Sequence, residues 1–418
     1  MSAPSPRTTR DSIGIHARIN KLLTLYLTAA LVFAGAVTPT LAQAKVSASD
    51  RVDGRRASDL GVPTAAMPDV SMKSGTLVTS DGRILWERQP TAERSMASIT
   101  KIMTAVVAME RSDPDEIVTV TRESLRVGES SSFLRLGQKL KMSELLEALL
   151  IKSGNDAAVA IAVAVGGSED GFVALMNKKA AALGLDRTHF ENAHGLDARG
   201  HYSCARDLAV LSRYAMSKPE FRAIVKKKRA RIGSGSRTTK VESTNLLIGN
   251  YSGANGVKTG FTSKAGYCVI ASANRDDIEL QAVVLGTNGE LARFREAREL
   301  LDFGFAHYRP QRLASAGSVI GEAPVADYLD LAVPAAVSRD ATVPVLDFAG
   351  PIHRTLSMAV VDAPVHIGDK VGVASFTQQG EVIATLSLVA TKDVKKPWIF
   401  QRVGIGFIRV WRSLTGTR

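Results

Sequence analysis

Ala97-Ser98-Ile99-Thr100-Lys101-Ile102-Met103-Thr104-Ala105-Val106-Val107-Ala108-Met109-Glu110 is the stretch from which the rest of the chain is read. It holds no Gly or Pro, and Ile102, Ala105, Val106 and Met109 recur at three- and four-residue spacing, which predicts a buried helix from Ala97 to Glu110. Ser98 falls in its first turn, where unpaired N–H groups and the positive end of the helix dipole favour developing negative charge. Lys101 lies one turn further on and shares a face with the serine. A serine hydroxyl is a poor nucleophile at neutral pH and needs a base beside it. A lysine in a dry, crowded cleft loses its proton readily and can be that base. Alone, Ser-x-x-Lys reads as a helix-capping serine followed by a surface lysine. Its company changes the reading.

Two further strings follow in order, Ser153-Gly154-Asn155 and Lys258-Thr259-Gly260. Leu145 to Ile151 reads as a short apolar helix, and Asp156 to Val165 resumes helical character. Ser153 and Asn155 therefore sit on a tight connection, where a hydroxyl can relay a proton and an amide can hold a substrate peptide bond. As isolated turn chemistry, Ser-Gly-Asn carries no function. Lys258-Thr259-Gly260 opens a run with strand character. Gly266–Ala273 and Ile278–Leu285 read as antiparallel strands joined at Asn274-Arg275-Asp276-Asp277. Gly260 predicts a close approach of a ligand backbone. Lys258 and Thr259 supply charge and hydroxyl for a carboxylate, and the N–H groups of Ser98 and Phe261 suit an oxyanion hole. Upstream, Thr76 to Trp86 reads as strand, Asp-Gly turn and strand, a hairpin feeding the serine helix.

Ser-x-x-Lys, Ser-x-Asn and Lys-Thr-Gly in this order match the serine penicillin-binding proteins and β-lactamases. From Gly75 to about Tyr308 the chain resembles the D-alanyl-D-alanine carboxypeptidases, the low-molecular-mass penicillin-binding protein family. Phe190-Glu191-Asn192-Ala193-His194-Gly195-Leu196-Asp197, Tyr202 to Ala209 and Gly256 to Tyr267 are similar to family stretches beyond the three motifs. The resemblance implies Ser98 as acylated nucleophile, Lys101 as its base and Ser153 in proton transfer. It implies Asn155, Lys258 and Thr259 as substrate-holding groups, with Arg293 helping to hold the terminal carboxylate. Two departures stand out. Phe261 occupies a position where many members carry His, and Cys204 stands where Ser or Thr is usual.

The 418-residue chain carries 53 Lys and Arg against 41 Asp and Glu, a formal charge of +12. Arg18 and Lys21 precede the apolar stretch Leu22 to Val37, and Ala42-Gln43-Ala44 suits a cleavage site, so residues 1–44 read as a secretion signal. Residues 45–69 read as a flexible lead-in and 70–309 as the catalytic domain. Pro310 marks the start of a small β-rich domain, 310–393, in which Lys370–Phe376 and Glu381–Val389 form a hairpin. Residues 394–418 hold six Lys and Arg and no acid. Arg402, Gly406, Arg409 and Ser413 share one helical face, with Trp398, Val403, Phe407, Trp411 and Leu414 around the rest. That is the pattern of a helix lying in an anionic membrane interface.

His189, His194 and His201 match no common zinc spacing, so no metal is expected. There is no dinucleotide fingerprint or phosphate loop, and no cofactor is expected. Cys204 and Cys268 are open to either a disulfide or two buried thiols. The basic run Lys226 to Arg229, with Arg231, reads as a solvated face turned towards anionic envelope polymers, since export conflicts with a nucleic-acid partner.

The expected fold is α+β: an antiparallel sheet with a helical cluster and the site between them, then the β domain and the amphipathic helix. The resemblance implies removal of the terminal D-Ala from peptidoglycan stem peptides through an acyl-enzyme. β-Lactam antibiotics would be acylating inhibitors, and the protein would lie on the periplasmic side of the inner membrane. The rival readings are a D,D-endopeptidase, a β-lactamase using Glu191, and a non-catalytic penicillin-binding scaffold.

Overall fold

The computed structural model describes residues 1–2, 47–233 and 238–415. The secretion signal expected over 1–44 lies, apart from its first two residues, outside the described residues.

The centre of the catalytic domain is a seven-stranded sheet. Its strands are β1 (Asp50–Val52), β2 (Arg55–Arg56), β3 (Ser74–Thr79), β4 (Ile84–Arg88), β9 (Ala254–Thr262), β10 (Gly266–Arg275) and β11 (Ile278–Thr287). Between them in sequence lie two small hairpins, β5 (Ile117–Thr119) with β6 (Lys139–Lys141), and β7 (Arg229–Ile232) with β8 (Thr239–Glu242). The order across the large sheet is β2-β1-β4-β3-β11-β10-β9, antiparallel throughout. Every residue of β11 is buried, because both faces of the sheet are covered.

On one face, Ile270, Val283 and Leu285 meet a helical cluster built from α1 (Lys101–Arg111), α2 (Met142–Glu147), α3 (Asn155–Gly166), α4 (Glu169–Ala182), α5 (Ala205–Met216) and α6 (Pro219–Val225). On the other, Val269, Ala271, Leu280 and Val284 pack on Phe294, Ala297 and Leu301 of α7 (Glu290–His307). Alternation along the strands thus sorts side chains between two separate cores.

Residues 47–69 differ from the flexible lead-in expected over 45–69. β1 pairs with β4, and Val52, Val62 and Met67 are buried in the α7 core. A scatter of apolar residues among Gly, Ser and charge looked like a linker, yet those residues are anchors. Asp50 explains much of the difference. Its carboxylate accepts from Arg88 Nε at 2.6 Å and Nη2 at 2.7 Å, in a pair almost wholly shielded from water.

Downstream, α7 runs directly into β12 (Tyr308–Ala314), two residues before Pro310, which itself lies within that strand. β12 pairs with β15 (Ala341–Leu346). A five-stranded sheet of order β13-β14-β18-β17-β16 forms the rest, from β13 (Val319–Pro324), β14 (Ala332–Val337), β16 (Ile352–Met358), β17 (Lys370–Gln378) and β18 (Glu381–Ala390). Val333, Val371, Phe376 and Leu388 fill its core.

The last helix, α8 (Ile399–Thr415), touches this domain through polar groups. Arg412 pairs with Asp330 at 3.1 Å, and Arg409 donates to the carbonyls of Ala326 and Tyr328. Its Val403, Phe407, Trp411 and Leu414 face outwards, all more than half exposed. No single helix among the described residues is long and apolar enough to cross a membrane.

Breaking the Asp50–Arg88 pair leaves a buried guanidinium without its carboxylate, although it still donates to Val70 O. Asp50→Ala is expected to lower the unfolding free energy by about 3–5 kcal/mol in urea denaturation, and Asp50→Leu with Arg88→Met to recover most of that loss.

Candidate active site

The serine sits on a tighter turn than the regular helix expected from Ala97. Ala97–Thr100 form a 3₁₀ turn, and α1 begins at Lys101. Ala97 takes a left-handed φ of +51°, so the chain swings into the turn and places Ser98 at the cleft edge. Thr100 Oγ1 holds the turn by donating to Ala97 O at 2.8 Å, and its oxygen lies 2.8 Å from His201 Nε2. His201 Nδ1 accepts from the Glu191 N–H, which leaves Nε2 as the protonated nitrogen facing Thr100. Burial holds the His201 imidazole neutral, pushing its pKa down to about 4.

Lys101 is wholly buried, and its Nζ lies 2.8 Å from Ser98 Oγ, 2.7 Å from Asn155 Oδ1 and 2.5 Å from His194 O. Burial pushes its pKa down to about 7, against the opposing pull of Asp156 and Glu129. A neutral amine has two hydrogens and one lone pair. The carbonyl of His194 and the amide oxygen of Asn155 take the hydrogens, which turns the lone pair to the serine hydroxyl.

A second lysine stands across the cleft. Lys258 of β9 donates to Ser153 Oγ at 2.8 Å and to Thr259 O at 2.9 Å. Burial, with the nearby charges of Lys101 and Arg293, drives its pKa well below the ordinary lysine range. Ser153 follows a π-helical turn over Ala148–Lys152 and has a left-handed φ of +67°. Such turns concentrate at functional sites. They carry a backbone cost of about 1–2 kcal/mol where a side chain adopts left-handed φ. Asn155 donates from Nδ2 to Gly128 O at 2.8 Å, and Thr259 Oγ1 lies 2.6 Å from Thr244 Oγ1.

The cleft encloses about 360 Å³. Ser98, Ser153, Asn155, Thr259, Gly260, Phe261 and Arg293 line it, and the two lysines back it through their serines. All nine residues singled out in the sequence are therefore brought together. Two of them also make contacts that the sequence did not announce. At Gly260 the close approach is made by the chain itself: an added Cβ would lie 3.0 Å from Ala97 Cβ and 3.1 Å from Ser98 N. Arg293 sits in the first turn of α7 and donates to Gly260 O at 3.2 Å and Glu290 Oε1 at 3.1 Å. It thus braces β9 as well as charging the cleft. Phe261 is half exposed and stacks on Tyr267, with ring centroids 4.3 Å apart.

Sequence reading missed Ser130, Thr244, Leu196 and Glu129, which also line the cleft. Asp156 was missed too. Its carboxylate accepts from Ser131 Oγ and from the N–H groups of Ser132 and Leu134, pinning the loop that carries Ser130. Asp156 follows directly on the Ser-Gly-Asn string, so adjacency was the available clue. Cys204 and Cys268 are free and buried, both thiols pushed up to about 11 by burial. Among the described residues no group of three His, Cys, Asp or Glu is placed to hold a metal ion.

A serine bonded to a buried lysine, in a cleft between an antiparallel sheet and a helical cluster, defines a serine peptidase working through an acyl-enzyme. The family profile described as D-alanyl-D-alanine carboxypeptidase matches residues 62–289, and that of the penicillin-binding protein 5 C-terminal domain matches 308–396. The D-alanyl-D-alanine carboxypeptidase DacF of Bacillus subtilis is 31% identical over 84% of this chain and 90% of its own. DacA of Escherichia coli is 30% identical over 90% and 95%. The crystal structure of penicillin-binding protein 5 from Haemophilus influenzae covers 78% of this chain and 98% of its own, at 28% identity and a TM-score of 0.59. The chain belongs to the D-alanyl-D-alanine carboxypeptidase family of serine peptidases.

The nucleophile turn has one weak point outside the motifs. Gly195 has φ +90°, and a Cβ there would come within 2.1 Å of Ala97 O. Gly195→Ala is expected to cost about 2–4 kcal/mol of stability. It should also slow acylation by a fluorescent penicillin, read as band intensity against time.

Proposed function

We propose that this family member removes the terminal D-Ala from peptidoglycan pentapeptide stems, with Ser98 as nucleophile. The observation that carries the reading is Lys101 Nζ, 2.8 Å from Ser98 Oγ with its other two bonds directed to Asn155 and His194. Lys101 takes the serine proton as Oγ attacks the carbonyl carbon of the D-Ala–D-Ala bond. The N–H groups of Ser98 and Phe261 meet the developing oxyanion. β9 is the edge strand of the sheet, so alternate amides along it have no partner strand to pair with.

Ser153, held by Lys258, passes a proton to the departing D-Ala nitrogen, and water then releases the shortened peptide. Lys258, Thr259 and Arg293 receive the terminal carboxylate, with Asn155 on a substrate amide. Burial and the neighbouring basic groups disfavour the charged form of Lys258, and an anion placed against it and Arg293 relieves that, which favours substrates ending in a free carboxylate. β-Lactams acylate the same serine.

Export and membrane attachment complete the proposal. The apolar stretch Leu22–Val37 serves as the secretion signal, placing the enzyme on the periplasmic side of the inner membrane. α8 holds the β domain by Arg409 and Arg412 and keeps its Trp-bearing apolar face free, which suits insertion into an anionic interface.

Protein lacking residues 1–44 is expected to remove one alanine from a muramyl pentapeptide by mass spectrometry, and Ser98→Ala to leave it intact. A peptide untouched by both would turn the reading towards cross-link cleavage or binding alone. In the same assay, kcat/KM should rise with pH and level off above about 7, because only the neutral Lys101 amine can accept the proton. Two units lower, at pH 5, it should be about 100-fold below the plateau.

Sedimentation with anionic lipid vesicles tests the last helix. The chain ending at Arg418 should pellet, and one ending at Lys396 should stay in solution.

A further inference from the structure

Glu129 lines the cleft beside Ser98, Ser130 and Ser153, and no step of the reaction above uses it. Its side chain is exposed, and its carboxylate accepts no hydrogen bond and makes no ion pair among the described residues. The backbone around it, by contrast, is tightly held. The carbonyl before it, Gly128 O, accepts from Asn155 Nδ2 at 2.8 Å, and the carbonyl after it, Ser130 O, accepts from Asn155 N at 2.7 Å. Between these two bonds Glu129 is forced to a left-handed φ of +67°. An unpaired carboxylate on a strained residue tied from both sides to a substrate-holding asparagine has the marks of a built feature.

We propose that Glu129 is a specificity residue that recognises a free amine on the side chain of the residue preceding D-Ala–D-Ala. The inference rests on the carboxypeptidase reading above and adds to it a substrate class. Glu129 stands on the wall formed by the Ser153–Asn155 connection, facing the β9 wall where Lys258, Thr259 and Arg293 take the terminal carboxylate. Basic groups thus gather on the β9 wall, where Glu290 pairs with Arg293, and Glu129 places an unpaired carboxylate opposite them. A peptide with a carboxylate at its end and an ammonium group on the side chain before the scissile bond matches both. A substrate whose amine is acylated matches only one. The charge-assisted contact replaces water on a carboxylate that accepts no hydrogen bond within the protein, so it forms without breaking a protein–protein bond.

The test compares two peptides, Nα-acetyl-L-Lys-D-Ala-D-Ala and its Nα,Nε-diacetyl counterpart, by released D-Ala. The wild type should favour the free amine about two- to fivefold in kcat/KM, the size of one solvent-exposed ion pair. Glu129→Gln should bring the ratio near one, and Glu129→Asp should restore part of it. A purely structural role would change both substrates together and leave the ratio alone. Equal rates on the two peptides by the wild type, or an undiminished ratio in Glu129→Gln, would overturn the assignment. If neither peptide loses alanine, the carboxypeptidase reading itself falls and this inference with it. Should Glu129→Gln fail to fold, judged by loss of penicillin acylation, the wild type decides alone. Its preference should shrink as NaCl rises from 0.05 to about 0.5 M, where the screening length falls to a few ångströms. A preference indifferent to salt would count against the carboxylate.

Discussion

Everything about the cleft depends on keeping one ammonium group out of water. Lys101 has no exposed surface, and its Nζ meets a serine hydroxyl, an asparagine oxygen and a backbone carbonyl. Burying a charged amine without a carboxylate against it is costly, and the group answers by giving up its proton near neutrality. The same burial sets the demands on its neighbours. His194 must present its carbonyl, Asn155 must turn its oxygen inwards, and both histidines near the turn must stay neutral. Burial and the Lys101 charge depress His194 to about 3. A cationic imidazole there would add a further positive charge to a site that already holds three basic side chains.

The walls are held in conformations that an isolated peptide would avoid. Ala97, Glu129 and Ser153 all border the cleft with φ between +51° and +67°. Each costs about 1–2 kcal/mol for a residue with a Cβ. The surroundings over-determine them. Gly195 leaves room for Ala97 O, Asp156 gathers the Ser131–Leu134 loop, and Asn155 pins both carbonyls flanking Glu129. Strain of this kind persists because the two cores behind the sheet are closely packed and the N-terminal segment is locked on by Asp50 and Arg88. Precision at Ser98 is thus supported from both faces of the sheet.

Among the described residues, the β domain and α8 contribute no group to the cleft. α8 is held to the Ala326–Asp330 loop by arginines rather than by its apolar face, the reverse of a helix completing a core. Val403, Phe407, Trp411 and Leu414 are left exposed along one helix, an apolar stripe that the β domain does not cover.

The motifs, the strands around them and the amphipathic end were legible in the chain because each is a local pattern. Ser98 to Lys101 is one turn, the Asp276-Asp277 turn separates two apolar runs, and Val403, Phe407, Trp411 and Leu414 repeat along one helix. Local order does not reveal what lies opposite. The anchoring of residues 47–69 required β4 and α7 to be present, so single buried valines among polar neighbours looked like linker. The 3₁₀ turn at Ala97 arises from contact with Gly195 and Gly260, far along the chain, and periodicity alone predicted an ordinary helix. Glu129 was invisible for the same reason, since only the fold carries its loop to Asn155. The sequence by itself determined the family and the class of scaffold, and it named the residues that the cleft gathers. The tertiary structure alone decided their protonation, their strain and their facing partners, because burial and long-range contact are properties of the packed chain and not of any segment within it.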